Sequence, residues 1–145
     1  MKSKLLFDEG EKTFAVVMEP GDEVVTCLLE FAVENRLTGS HFTAIGALSE
    51  VTLGYFNLQK KDYKNIPIKE QVEVLSLVGN IALVNGRPRV HAHIVVGKSD
   101  GTAHGGHLVE ARVRPTLEVI IDESPEHLRR IFDPEVGLAL IDLDD

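Results

Sequence analysis

Apolar residues recur along the chain with two kinds of spacing, and each spacing predicts a different kind of secondary structure. Near the N-terminus, the short apolar run 14–18 predicts a strand that ends at a Pro-Gly pair. Apolar residues then recur every three to four positions from Val24 to Val33, which is typical of an amphipathic helix. We expect Asp22 to be the N-cap of this helix, and the helix to end near Asn35.

Beyond residue 40 the pattern changes to short apolar or alternating runs, which favour strands. The predicted strands cover residues 41–46, 51–58, 72–84, 89–96, 116–121 and 138–143, with a loop or weak edge strand at 62–67. A bend is expected at Gly79, and Asn85-Gly86 is typical of a hairpin turn. Ser124 as N-cap and Pro125 after it predict a short late helix. The fold class predicted is α+β: a largely antiparallel sheet, one main amphipathic helix packed on it, and a short C-terminal helix.

Length and charge limit the function classes. The chain has 145 residues, so residues 1–145 are expected to form a single domain. Its formal charge is −8. An acidic domain lacks the Lys- and Arg-rich surface that contacts phosphates, which makes nucleic acid an unexpected partner. No apolar stretch is long enough for a transmembrane helix and no leader is evident, so no membrane partner is expected. The single cysteine, Cys27, is expected to be a small core residue, and a cytoplasmic location follows as the default.

Histidines supply the most informative chemistry of the chain. Residues i and i+2 of a strand point to one face, so His91 and His93 should project together, with Cα atoms about 6.5 Å apart. Two imidazoles at that separation can chelate one metal ion, and a third would complete the open, three-ligand site typical of reactive zinc. His107 is the preferred third ligand because it precedes an apolar strand, and His104 is the alternative. The Gly105-Gly106 pair permits positive φ or a close backbone approach that could place His107.

A simpler interpretation is that the paired histidines are exposed, or hydrogen-bonded to neighbours across a sheet. His41 and His127 are expected to be structural or solvent-exposed rather than ligands. Tyr55 could donate a hydrogen bond to a bound oxygen, or could be an ordinary core tyrosine.

Two glutamates are the candidate catalytic partners of such a site. Glu73 and Glu110 stand in or beside apolar strands, where an unpaired carboxylate is costly. Each could accept the N–H of a ligand imidazole or act as general base towards metal-activated water. An ion pair with Arg89 or Arg112 is the alternative for both.

Several motifs occur in an order that resembles a known family. They are Ala44–Leu48, Val51–Phe56, Glu73–Asn80, His91-Ala92-His93 and Gly105–Leu108. In this order they resemble the plants-and-prokaryotes-conserved (PPC) domain, a domain of unknown function related to the C-terminal domain of plant AT-hook nuclear proteins. The resemblance extends from about Phe14 to Ile121.

The resemblance implies an α+β fold with an antiparallel sheet, a homotrimer, and a zinc ion held by His91, His93 and His107. Plant relatives carry a DNA-binding hook built on Arg-Gly-Arg-Pro. This chain has Asn85-Gly86-Arg87-Pro88 instead, which lacks the first arginine. Placed between two strands, this segment is expected to be a turn.

Three functions follow from these observations. The leading hypothesis is a cytoplasmic, homotrimeric Zn²⁺-binding protein whose open metal position binds or hydrolyses a small ligand, with a small anionic molecule as a candidate. The second hypothesis is a DNA-binding or transcription-associated module. The third is a non-catalytic assembly domain with a structural metal. The sequence names no substrate and does not decide whether the protein is an enzyme.

Overall fold

The fold is built almost wholly from strands. The computed structural model describes residues 1–8 and 10–143. Strands make up 67% of the chain and helix 8%. The elements are β1 (Lys2–Asp8), β2 (Lys12–Met18), α1 (Val24–Glu34), β3 (Gly39–Asn57), β4 (Asp62–Ile68), β5 (Val72–Val84), β6 (Arg87–Gly97), β7 (Ala103–Glu123), β8 (Arg129–Asp133) and β9 (Leu138–Asp142).

The predicted α+β class, with a main amphipathic helix and a second helix at the C-terminal end, is therefore wrong. The protein is mostly β, with one short helix of 11 residues on a mixed sheet. The sheet is mixed because β5 pairs in parallel with β8, through Leu83 and Arg129, whereas its other strand pairs are antiparallel. Helix α1 was predicted at the right place, but a single short helix does not make an α+β architecture.

The C-terminal helix fails because the chain pairs with the sheet instead. Ser124 accepts a hydrogen bond from the Glu126 N–H, as an N-cap would, at 3.2 Å. The next residues extend, and the Leu83 N–H donates to the Leu128 carbonyl at 2.8 Å. The following residues form β8, which pairs with β9. Tertiary pairing overrides the local helix signal in this segment.

Four strands close into a ring. The order β1-β2-β7-β3-β5-β8-β9 runs through the sheet, and β6 pairs with both β5 and β7. Because β3 also pairs with both β5 and β7, the circuit β3-β5-β6-β7 has no free edge within it. The short turn between β6 and β7 places the start of β7 beside β6, and the ring places this part of β7 beside β3 as well.

Helix α1 packs its apolar side on the sheet. Val24, Leu28, Phe31 and Ala32 are buried, and the Phe31 ring meets the Phe14 ring edge-on at 5.3 Å. The N-cap is Glu23 rather than the predicted Asp22, whose carboxylate accepts from the Glu19 N–H instead. Asn35 is the C-cap, as predicted.

The alternation along β6 separates an inner from an outer face. Ala92, Ile94 and Val96 are buried in the core, as the sequence pattern predicts. His91 and His93 point to the other face, which we call the outer face of the sheet. Across the strands, His93 is level with Val78 on β5, and Val78 with Thr43 on β3.

Among the residues that the structure describes, no helix combines the length and the apolar character needed to cross a membrane.

Candidate metal centre

Strands β6 and β7 bring three imidazoles together. His93 is directly opposite His107 in the strand register, and His91 lies two residues before His93. The ring centroids are 5.2 Å apart for His91 and His93, 5.2 Å for His91 and His107, and 5.7 Å for His93 and His107. One ring nitrogen from each residue falls within 4.8 Å of the others. These are the three residues that the sequence proposed as ligands.

The loop and glycines before His107 explain why its ring reaches the other two. Gly101 has a φ of 82° and closes the β6–β7 turn, where the Lys98 N–H donates to the Thr102 carbonyl at 2.9 Å. Gly106 does not have a positive φ. Its role is to allow the backbone of β7 to come close to that of β3. A Cβ on Gly106 would lie 2.8 Å from the Gly54 carbonyl oxygen of β3. A larger residue there would push β7 away from β3 and carry His107 with it.

Two of the three imidazoles are held neutral by their surroundings. Burial is the main cause that lowers the pKa of His107, to about 4, and the neighbouring His91 and His93 add to it. Burial, Arg130 and His93 lower the pKa of His91. A neutral imidazole keeps one nitrogen lone pair free, which is the form that ligates a metal.

Two observations support a fit between these three histidines and a metal ion such as zinc. First, imidazole nitrogens are common zinc ligands at about 2.0–2.1 Å, and three of them leave one position open. One nitrogen from each ring lies within 4.8 Å of the other two, so the three nitrogens share one small region. Second, Nδ1 of His107 is buried and has no hydrogen-bond partner among the described residues. Buried polar atoms are rarely left without a partner, so an unpaired nitrogen here supports the binding of a metal ion.

The His107 ring is stacked against an aromatic side chain. Tyr63 of β4 packs on it with ring centroids 4.7 Å apart and an angle of 31° between the planes. Gly54 makes room for this stack, because a Cβ there would lie 2.9 Å from the Tyr63 ring. Burial raises the pKa of the Tyr63 hydroxyl. From its sequence, this tyrosine was expected only in a loop or weak edge strand.

Arg130, on β8, also lies beside the cluster and was not among the residues predicted from the sequence. Its Nη2 lies 3.3 Å from Nδ1 of His91 and donates to Oδ1 of Asn80 at 2.8 Å. Its Nη1 donates to the Ala139 carbonyl at 3.1 Å. The available signal was an arginine next to the apolar residues Ile131 and Phe132, in a segment that was predicted to be helical.

The remaining candidates lie outside the cluster. His104 is exposed, and its ring contacts the Thr102 hydroxyl at 3.3 Å. Glu73 is exposed on β5, opposite Ala47. Glu110 is exposed and accepts from the Thr52 hydroxyl at 3.1 Å.

Other residues singled out in the sequence have ordinary surroundings. Tyr55 is 65% exposed rather than in the core. His41 faces Asp122 at 3.4 Å, and His127 is exposed on a non-helical segment. Cys27 packs against the core as a partly buried residue, and burial raises the pKa of its thiol.

Sequence comparison gives a family match over most of the chain. The profile of the Plants and Prokaryotes Conserved (PCC) domain, the family written PPC above, matches residues 7–125. This range contains all three clustered histidines. Arg130 lies beyond it.

Solved structures with the same fold include three informative neighbours. A PPC protein of Pyrococcus horikoshii has a TM-score of 0.86 and 33% identity, over 99% of this chain and 96% of that chain. A metal-containing protein of Archaeoglobus fulgidus has a TM-score of 0.84 and 36% identity, over 97% of this chain and 99% of that chain. A protein of Bacteroides thetaiotaomicron, named as a candidate DNA-binding protein, has a TM-score of 0.87 and 30% identity, over 97% of this chain and 96% of that chain.

A curated relative is much longer than this chain. It is the bifunctional protein GlmU of Synechococcus sp. (strain JA-3-3Ab), 30% identical over 129 residues that cover 87% of this chain. The chain spans 20% of that relative's length.

Proposed function

Because this chain belongs to the Plants and Prokaryotes Conserved (PCC) domain family, we propose that it is a homotrimeric zinc-binding protein that holds a small ligand at its metal. The ligands would be His91, His93 and His107. The observation that carries the proposal is the convergence of their three ring nitrogens within 4.8 Å. The Archaeoglobus fulgidus neighbour, which contains a metal, supports it.

Zinc suits this donor set better than magnesium or calcium does. Three neutral nitrogen donors favour zinc and other late first-row ions, whereas magnesium and calcium prefer oxygen ligands. The partly buried setting of His91 and His107 keeps their rings unprotonated at neutral pH.

Ligand binding is the role that the surroundings of the site support best. When bound, zinc would supply a Lewis acid that can polarise a ligand oxygen or activate water. No carboxylate of the described residues belongs to the ligand cluster. Glu73 and Glu110, the candidate bases, would have to act from outside it. We therefore propose metal-dependent binding of a small ligand, and hydrolysis only if one of these two glutamates reaches that ligand.

Metal analysis of the untagged protein tests the proposal. We expect about one zinc per chain in the wild type, because the site has three ligands and one open position. His91→Ala, His93→Ala and His107→Ala should each remove most of the metal. His104→Ala and His41→Ala are matched controls that should retain it. A wild type purified with zinc available and found almost metal-free would contradict the proposal, and loss with His104→Ala but not His107→Ala would contradict the ligand set.

DNA binding is the second candidate, favoured by the name of the Bacteroides thetaiotaomicron neighbour. The formal charge of −8 argues against it, since duplex DNA repels an acidic domain. If DNA binding were the function, affinity for duplex DNA should fall steeply as salt rises. We expect no such binding at physiological salt.

A further inference from the structure

A pocket opens beside His91, between β6 and the β8–β9 hairpin. It has a volume of about 270 Å³. Most of its wall is apolar, and Arg130 and His91 lie at one side of it. The apolar part of the wall is formed by Val84, Val90, Leu138, Leu140 and the ring of Tyr63. A cavity with an apolar body and a cationic side is suited to a ligand of the same pattern, with an anionic group and an apolar body.

No carboxylate of the described residues neutralises the charge of Arg130. Its side chain is partly buried, and burial lowers its pKa, but a guanidinium stays protonated in proteins. Its protein partners are the neutral oxygens of Asn80 and Ala139, and no carboxylate of the described residues forms a salt bridge with it. Nε of Arg130 is buried and has no partner in the described part of the chain. A partly buried cation without a counter-charge among the described residues is costly, which favours an anion as its partner.

Metal binding would also free Arg130 from His91. A guanidinium has only donors, so the 3.3 Å contact requires the lone pair of His91 Nδ1. A neutral imidazole has a single nitrogen lone pair, and its other nitrogen carries a hydrogen. If the metal takes Nδ1, Arg130 is displaced. If the metal takes Nε2, Nδ1 carries the hydrogen and cannot accept. Either way, one donor of Arg130 loses its acceptor when His91 ligates a metal.

We propose that Arg130 and the metal centre together bind the carboxylate of a small organic acid, whose apolar body fills this pocket. This inference rests on the proposed metal site and names its ligand class. Arg89 also lines the pocket and adds to its positive charge. The flat ring of Tyr63, already stacked on His107, offers a surface for an aromatic or planar body.

Calorimetric titration with benzoate tests the proposal on the full chain loaded with zinc, with the zinc content of every sample measured. We expect the zinc-loaded wild type to bind benzoate at least about tenfold more tightly than the metal-free protein. Arg130→Gln should weaken benzoate binding by about tenfold or more, the worth of a charge-assisted hydrogen bond, while zinc stays bound. Arg129→Gln is the matched control, because Arg129 is the preceding residue and pairs with Asp142 at 3.0 Å instead.

Two ligand controls separate the charge from the apolar body. Benzamide keeps the ring without the charge and should bind weakly. Acetate and inorganic phosphate keep charge without the ring and should also bind more weakly than benzoate. Equal benzoate affinity for Arg130→Gln and wild type, both with zinc bound, would overturn this inference alone. Phosphate binding as tightly as benzoate would overturn the assigned ligand class, whereas failure of the wild type to hold zinc would remove the metal proposal itself.

Discussion

Single residues decide how closely the strands around the histidines can approach. Gly79 of β5 lies opposite Ala92 of β6, the residue between His91 and His93. A Cβ on Gly79 would meet the Phe42 ring and would lie 2.6 Å from the His91 carbonyl oxygen. The sequence suggested a bend here, but the register shift in β5 falls earlier, between Val74 and Ser76. Gly79 is needed because the neighbouring atoms leave no space.

Gly79→Ala should therefore destabilise the protein and disturb the histidine pair. We expect the free energy of unfolding to fall by about 1–3 kcal/mol, as for other overpacked sites, and zinc content to fall with it. Denaturant unfolding and metal analysis measure the two effects. Gly105→Ala is the control, since its Cβ would lie 3.3 Å from the nearest atom, the Ile94 carbonyl oxygen, and should cost much less. Equal stability of the two variants would contradict the packing argument.

The single helix is attached to the sheet through its N-cap. Glu23 accepts from the N–H groups of Val25 and Thr26 at 3.2 and 2.7 Å. The same carboxylate accepts from the Ala111 N–H of β7 at 3.1 Å. One side chain thus caps α1 and ties it to β7. Burial raises the pKa of Glu23, but the hydrogen bonds from Thr26, Ala111 and Val25 outweigh it, so the pKa is lowered overall.

This cap should make stability depend on pH. Because the folded pKa lies below the unfolded value of about 4.3, the carboxylate stabilises the fold above that pH. The contribution is lost as pH falls through the lower, folded value. Glu23→Gln should cost about 1 kcal/mol at pH 7 and almost nothing well below the folded pKa, measured by denaturant unfolding. Glu30→Gln, an exposed residue of the same helix, should show little loss at either pH. A constant difference between Glu23→Gln and wild type across this range would contradict the argument.

The whole molecule leaves an apolar area on the outer face of its sheet. Val78 is 48% exposed and Ile120 is 42% exposed, and both are level with Thr43 of β3. Other exposed apolar residues lie on these and the neighbouring strands: Ile45 on β3, Leu75 on β5, Val95 on β6 and Val17 on β2. Contiguous exposed apolar surface of this kind marks protein contacts. We propose that this area packs against further copies of the chain, in the homotrimer proposed above.

Charge on this face should break the assembly. We expect sedimentation equilibrium to give a trimer for the wild type and smaller species for Ile120→Lys and for Val78→Lys, because a buried lysine would lack a partner. Leu58→Lys is the control. Leu58 is 69% exposed in the turn after β3 and should leave the trimer intact. A monomeric wild type, or a trimer unaffected by both substitutions on the outer face, would contradict the assignment.

Much of the site could be predicted from sequence because it depends on local rules. Alternation along β6 put His91 and His93 on one face, and the glycines before His107 suggested a close approach. Strand β5 was predicted with its observed bounds, since its ends coincide with a polar segment and an Asn-Gly turn. In contrast, β3 and β7 were each divided or shortened, because register shifts interrupt their alternation.

Long-range pairing decided the rest. The backbone near Leu128 could form a helix by its own signals, but its pairing with Leu83 and with β9 makes it a strand. This pairing replaces the predicted second helix and brings Arg130 to His91, across 39 positions of the chain. Tyr63 reaches His107 in the same way, from a strand with a weak local pattern. The alternation of side chains along a strand is a local property, so it can be recognised in the sequence. The partner of a strand depends on the free energy of pairing with a distant segment, which a short stretch of sequence does not reveal.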